Sequence, residues 1–453
     1  MTAHVSKRLL LGVALTVAAL VAVASRSSGS TDTGNQVLEW NQIFVDTLVA
    51  TNTPNASSQR LGAIVHTAIF DAYNGIQRRY TPIVVDSSAP HGASRRAAVI
   101  AAAYTALVGL FSSTPPTCPG VPSLSPAQRA ALDTSYTASL AALSDDGGDG
   151  GKSRERGIAW GQEVAYAVLA WRASDGFCGS YKQFLGGTEV GQWRPTPPGF
   201  GPMSAQGLAF TMPMFVLVSN TQFQPDPPRT LGSITYAEDF NTVKMLGRKT
   251  GSTRTDVQTA LAPFWEGNAS VHWNRAANQI ARTNHLSMSD CNRLLAVLNI
   301  AMADTAFTIW KAKRDYGADS TQVTWRPVTA IPLADSDFNP DTAPDRDWLP
   351  LVTTPSHPEY PAGHPAQNGA AATVLLSYFG DAQVFELTTR LSGVDVRQMY
   401  NSIAQARADG NNARVWGGMH YPSTVTISDQ VGEAIANYVN QNGKAMQPLR
   451  GAQ

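Results

Sequence analysis

"HPEYPAGHPAQNGA", residues 357–370, decides how this chain is read. Two of its eight histidines, His357 and His364, stand where three prolines and Gly363 interrupt an otherwise Ala-rich, helix-prone sequence. Pro and Gly fix a turn there and expose His364 just ahead of a helix N-terminus, a place that favours anions. Such a break aims a backbone amide and an imidazole into a cavity between helices.

Two further segments complete the pattern. "WKAKRDYGADSTQVTWRP", residues 310–327, holds Lys311, Lys313, Arg314 and Arg326, and "RVWGGMHYPST", residues 414–424, sets Arg414 and His420 around two glycines. An oxyanion needs several fixed positive donors, and Arg offers paired N–H groups where Lys offers a point charge. Gly lets a backbone N–H approach an oxygen closely. One histidine directed at the central atom serves as ligand or nucleophile, and a second moves a proton. Each segment alone is more often just a turn, a solvated helix face or an exposed helix end; the order and combination of the three point to an anion site.

Composition sets the frame. The chain has 453 residues, with 34 basic and 34 acidic side chains and zero formal net charge. No bulk field marks it for nucleic acid or an anionic membrane surface. With 43 % hydrophobic and 15 % charged residues it is globular rather than disordered. The length leaves room for two or three domain-sized units or one large helical body. At the N-terminus a basic "MTAHVSKR" precedes an apolar run, Leu9–Ala24, ending in the small-residue pattern "AVA". The run is shorter than the roughly 20 residues of a spanning helix, and reads as a cleaved signal peptide over 1–24 that sends the protein out of the cytoplasm. No other stretch reads as long and apolar enough to span a bilayer, so no membrane association is expected after cleavage. Of three cysteines, Cys118 and Cys178 lie in loop-like sequence and are the expected disulfide pair, if one forms.

Helical periodicity dominates the remainder. After a flexible linker at 25–36, stretches such as "NASSQRLGAIVHTAIFDAYNGI" and "GGKSRERGIAWGQEVAYAVLAWR" predict an N-terminal helical bundle over 37–177. Residues 178–233 are too rich in Pro and Gly for a bundle helix and predict a connector or lid. A second bundle follows over 234–453, with helical patterns through "SDCNRLLAVLNIAMADTAFTIWKAKRDY" and on to "VRQMYNSIAQARADG". The expected fold is all-α: two four-helix bundles, with the site in the C-terminal one.

The three segments resemble the signature of the vanadium-dependent haloperoxidases and the related acid phosphatases of the type 2 phosphatidic acid phosphatase superfamily. That signature runs Lys, a spacer, Arg-Pro; then Pro-Ser-Gly-His; then Arg, five residues, His. The resemblance itself implies an all-α, two-bundle fold. It implies that His420 coordinates vanadium or, in a phosphatase, attacks phosphorus, and that Lys313, Arg326, Arg414 and the Gly363 amide hold the equatorial oxygens. His364 becomes the acid–base group, His357 and Trp310 line a halide pocket in which histidine favours bromide, and Glu266 is the acidic partner of Arg414. The cofactor is then vanadate, with hydrogen peroxide and halide as substrates. A secreted acid phosphatase acting on phosphomonoesters through a phospho-histidine, and a non-catalytic oxyanion-binding protein, are the alternatives. The chain departs from the signature in four ways. Its Lys–Arg spacer is longer, which leaves Lys311 open beside Lys313. Ala362 replaces the serine, Thr424 stands where an Asp commonly follows the last histidine, and Glu266 replaces an Asp. The Thr424 departure predicts an imidazole at His420 without an orienting carboxylate.

Cleavage after Ala24 predicts that exported protein begins near Ser25. Intact-mass measurement of secreted material checks this; full-length chain in the membrane fraction contradicts it.

Overall fold

The computed structural model describes residues 34–112, 118–143, 151–210 and 212–449. The expected signal peptide at 1–24 and most of the linker at 25–36 lie outside these residues, although Gln36 already belongs to the first helix.

Five helices come first: α1 (Gln36–Ala50), α2 (Asn55–Gln77), α3 (Arg95–Leu110), α4 (Pro126–Ala141) and α5 (Lys152–Arg172). Their starts obey capping chemistry. Asn35 and Ser94 each accept a bond from an early helix amide, and Ser125 with Gln128 closes a capping box around α4. Cys118 and Cys178 form a disulfide that ties the α3–α4 connection to the chain beyond α5. The 178–233 connector contains one short 3-10 turn, Gln206–Ala209, among its described residues. It is pinned rather than loose: the buried Asp304 carboxylate accepts the amides of Phe215, Val216 and Leu217 at 2.8, 2.8 and 3.1 Å.

The later helices are α6 (Ile234–Leu246), α7 (Asp256–Phe264), α8 (Ala269–Thr283), α9 (Met288–Ala318), the single turn α10 (Pro327–Ala330), α11 (Gly363–Phe379), α12 (Ile403–Trp416) and α13 (Pro422–Asn442). At 31 residues α9 is the axis of the fold. It packs against α2, α11 and α13. By length and composition α9 is apolar enough to cross a membrane, contrary to expectation. Its apolar window is 94 % buried inside the protein, which makes it a core helix. One hydrophobic cluster runs from Val37 in α1 to Ala445 near the C-terminus, so helices of both expected bundles share a core, and the residues from Asn35 onward form one compact unit.

Helical periodicity misread one segment. Residues 385–400 form an antiparallel hairpin, β1 (Phe385–Leu391) paired with β2 (Val394–Tyr400), with Phe385 opposite Tyr400. Its two-residue turn is Ser392-Gly393, both at positive φ, as the twist of a tight hairpin requires. Burial alternates along β1, with Phe385, Leu387 and Thr389 facing inward. In "VRQMYNSIAQARADG" the helix therefore begins only at Ile403, capped by Ser402.

Buried amides hold the helices in register. Asn274 on α8 and Asn299 on α9 exchange bonds of 3.0 and 2.9 Å, and Asn41 on α1 reaches Asn278 on α8 at 2.8 Å. Each of these amides bonds another across a helix pair, so the network specifies helix pairing as well as holding it. Gly62 lets α2 approach: a Cβ there would lie 2.3 Å from Asn299 Oδ1. Gly62→Val should displace Asn299, break the amide pair and lower stability by about 2–4 kcal/mol. Denaturant unfolding with an unchanged midpoint would contradict this packing.

Candidate active site

A cavity of ≈450 Å³ lies between α2, α9, α11 and the chain after α12; Lys313, His357, Gly363, His364, Arg414 and His420 all reach its wall. Each comes from a different local device. On α9, Trp310 and Lys313 share one face, three residues apart. Lys313 is fully buried, whereas Lys311 pairs with Asp315 on the partly exposed side of the helix. The structure thus places Lys313, not Lys311, at the cavity.

Two buried cations grip the loop before α11. Lys313 Nζ donates to the carbonyls of Pro358 (2.7 Å) and Glu359 (3.2 Å). Arg326, at the start of α10, donates through Nε to the His357 carbonyl at 3.0 Å. Three successive carbonyls are thereby turned inward. Arg326 stands behind the cavity wall: Nη2 reaches His357 Nδ1 at 2.8 Å, and Nη1 reaches both the Met419 carbonyl (2.7 Å) and His420 Nε2 (3.0 Å).

The helix α11 begins at Gly363, so His364 is its second residue, inside the helix rather than ahead of it. Ala362, at the N-cap, contributes no side-chain cap, and a Cβ on Gly363 would meet nothing within 4 Å. Open space therefore faces the uncapped first turn, where anions are favoured. His364 Nε2 donates to the Gly267 carbonyl at 3.2 Å, which leaves Nδ1 as its basic nitrogen.

The Arg-to-His spacing has a geometric origin. Helix α12 ends at Trp416, Gly418 takes φ +78, and the amides of Met419 and His420 turn back to the Arg414 carbonyl at 3.0 and 3.3 Å. A Cβ on Gly418 would lie 2.6 Å from the Gly247 carbonyl, so glycine is required there. The turn returns His420 toward the guanidinium of Arg414. That guanidinium is 1 % exposed; Nη2 contacts Met419 Sδ at 3.0 Å, while Nε and Nη1 have no partner among the described residues. Unpaired buried donors are costly, and they belong to a residue that lines the cavity. Glu266 lines the same cavity and its charge supports that of Arg414.

The residue that sequence reasoning missed is Glu359. Its carboxylate accepts from His420 Nδ1 (2.9 Å), the Tyr421 amide (3.1 Å) and the Thr424 hydroxyl (3.0 Å). The expectation that His420 lacks an orienting carboxylate is therefore wrong. The carboxylate comes from the loop before α11, and Thr424, where the Asp was expected, holds it in place. The available signal was an acidic residue between two histidine-bearing turns, beside buried cations that need neutralising. With Nδ1–H committed to Glu359 and Arg326 able only to donate, His420 Nε2 carries a lone pair.

The electrostatics follow from burial. It drives Arg326 down to about 9 and Arg414 to about 10, with acidic neighbours opposing in each case. Lys313 falls well below its ordinary value through burial and then through Arg326. Burial, followed by the neighbouring cations, pushes His357, His364 and His420 well below the usual imidazole value, so all three are neutral near pH 7. Glu359 is pushed up to about 7 by burial against the pull of Arg326 and Lys313.

Comparison with known proteins bears on the fold. Residues 293–447 match the family model of the VCPO second helical-bundle domain. The structure is similar to that of a bacterial vanadium-dependent iodoperoxidase, with TM-score 0.75 and 19 % identity over 92 % of this chain and 98 % of that one. It is also similar to a bacterial vanadium-dependent chloroperoxidase in its holo form, with TM-score 0.65 and 16 % identity over 86 % of this chain and 92 % of the other. The apo form of such an enzyme matches at TM-score 0.64 and 15 % identity, over 86 % and 93 % of the two chains. No curated protein sequence matches the chain. The chain thus shares the mostly helical fold of these structures, and residues 293–447 are similar to the VCPO second helical-bundle domain.

Glu359→Gln keeps the shape of the side chain but removes the charge that supports His420. It should lower orthovanadate affinity by about 10–100-fold, the usual effect of losing an outer partner of a ligating histidine, while the fold persists. Calorimetry showing wild-type affinity would remove Glu359 from this role.

Proposed function

We propose that the chain is a vanadate-dependent haloperoxidase that oxidises halide, bromide above others, with hydrogen peroxide. The observation that carries this reading is the His420 Nε2 lone pair, which accepts from Arg326 Nη1 at the wall of a cavity that Lys313, Arg414 and the open first turn of α11 also line. Vanadate fits that donor set. It is an oxyanion that would be held by fixed cations, amide donors and one imidazole nitrogen, and Arg414 and the open space over Gly363 are complementary to it.

When bound, vanadate supplies a Lewis-acidic centre that activates peroxide for two-electron oxidation of halide. The protein's share lies in its own residues. Lys313, Arg326 and Arg414 neutralise the oxyanion, and the Gly363 amide donates to it. Arg326 already donates to His420 Nε2 and is placed to move that bond to a ligand oxygen. His420 is the ligand, kept in the right tautomer by Glu359. His364, neutral with Nδ1 free as a base, moves the proton during peroxide entry. Arg326 donates to His357 Nδ1, so the His357 proton sits on Nε2, a neutral donor for halide packed edge-on to Trp310 at 5.0 Å. Export fits the disulfide Cys118–Cys178, which persists in oxidising surroundings.

The same lone pair favours a second reading. A His–Glu pair suits nucleophilic attack on phosphorus, which makes a secreted acid phosphatase acting through a phospho-histidine at His420 the alternative. A non-catalytic oxyanion-binding role rests only on the hydroxyl missing at Ala362.

One assay series separates the readings: p-nitrophenyl phosphate hydrolysis without vanadate, then peroxide-dependent dye bromination with it. Bromination with little hydrolysis is expected; the reverse replaces the first reading by the second. Arg414→Ala should weaken vanadate binding by about 2–5 kcal/mol. His420→Ala should abolish vanadium retention and turnover. His364→Ala should keep most oxyanion affinity and lose rate by about 10²–10⁴-fold. Ala362→Ser should tighten vanadate binding by restoring a donor. Equal loss of vanadium in the two histidine variants would overturn the division of roles.

A further inference from the structure

The hairpin β1–β2 has one covered edge and one open edge. Helix α8 covers the outer edge of β1. Gln279 Nε2 donates to the Glu386 carbonyl at 2.7 Å, the Glu386 amide donates to Gln279 Oε1 at 2.9 Å, and Arg275 Nη1 donates to the Thr388 carbonyl at 2.9 Å. Glu386 and Thr388 therefore turn their peptide groups away from β2. In an antiparallel ladder the two residues of such a pair both turn outward, and the pairs alternate along the strands. Met399 and Arg397, opposite Glu386 and Thr388, and Asp395 beyond them thus present their peptide groups to the far edge. There the Met399 carbonyl accepts from Gln398 Nε2 at 3.1 Å, and the three amides have no partner among the described residues.

A row of free donors and acceptors is a template for another strand. β2 runs seven residues in unbroken register, without the Pro, Lys or bulge that commonly guards an edge. Val394, Val396 and Met399 are 65, 37 and 55 % exposed along it. Asp395 and Arg397 are exposed too. Their pairs within the hairpin, to Arg390 at 3.3 Å and to Glu386 at 3.5 Å, lie at the surface, where such pairs are weak. These two charges are opposite in sign and two residues apart, so they select the strand that can dock. Two copies of β2 can pair antiparallel about a two-fold axis only where edge-facing residues meet edge-facing residues. Centring the axis on Asp395 or on Arg397 sets like charges opposite each other. Centring it on Gln398 sets Arg397 opposite Met399 and leaves no charge pair. Centring it on Val396 sets Asp395 opposite Arg397 twice, which is the favourable arrangement.

We propose that β2 is a self-association edge: two copies of this chain pair β2 to β2 about a two-fold axis at Val396, with Asp395 of each copy opposite Arg397 of the other. Each of those residue pairs exchanges both its backbone bonds, and the Val396 side chains meet across the axis. The two hairpins become one continuous sheet whose outer edges are covered by α8 of each copy. The cavity takes no part in this contact, so the proposal holds whichever reading of the site is correct.

Sedimentation velocity of the full protein tests this. One strand pair is smaller than a standard interface of about 1,600 Å², so the measurement spans about 1–300 µM. A dimer that grows with concentration is expected. Arg397→Asp leaves only acidic side chains at the two positions, and Asp395→Arg leaves only basic ones. Each variant alone should dimerise at least about tenfold more weakly. Mixed in equal amounts, the two variants are complementary and should dimerise about as strongly as the original protein. Mixing cannot repair a misfolded hairpin, so this recovery separates edge pairing from a folding defect. A monomer at every concentration, a dimer indifferent to both substitutions, or a mixture no more associated than its components overturns the proposal.

Discussion

Everything at the site depends on two buried cations turning three successive carbonyls inward. Lys313 holds the carbonyls of Pro358 and Glu359, and Arg326 holds that of His357. These bonds join others, from the Glu359 amide to the Thr324 carbonyl and from the Tyr360 hydroxyl to the Asp226 carbonyl, in holding the loop so that Glu359 meets His420. The cost of burying Lys313 and Arg326 is offset partly by the carbonyls and partly by the Glu359 charge. On the proposed function, a bound anion would supply the rest. The relation also explains the place of Arg326, which does not reach the cavity wall but donates to both histidines that do.

Much of this was legible in the sequence. The helix start at Ser125 followed its capping residue, and the long apolar run of α9 was visible as one segment. The three chemistry-bearing segments were found because Pro, Gly, Arg and His are rare in that order, and the structure brings Lys313, Gly363, His364, Arg414 and His420 to one cavity. The hairpin at 385–400 was hidden because "VRQMY" also satisfies a helical spacing of apolar residues; only the Ser-Gly turn betrays the strands. Glu359 was hidden for a different reason. Its partners His420, Tyr421 and Thr424 lie about sixty residues further along the chain, and no periodicity predicts a contact between two irregular loops.

The two departures at 362 and 424 now have different weights. Thr424 is no loss, because its hydroxyl braces the carboxylate that replaces the expected Asp. Ala362 is a real deletion: its backbone amide bonds Ser428, but no hydroxyl is offered to the cavity or to the first turn of α11. On the proposed reading, an anion would then be held more by Arg414, whose Nε and Nη1 have no partner among the described residues.

The central claim is that His420, oriented by Glu359, presents one nitrogen lone pair to a bound oxyanion. Vanadium K-edge absorption of the vanadate-loaded protein tests it most directly. A coordination shell with a single imidazole nitrogen, lost in His420→Gln, is the predicted result. An all-oxygen shell in the wild-type protein would contradict the account.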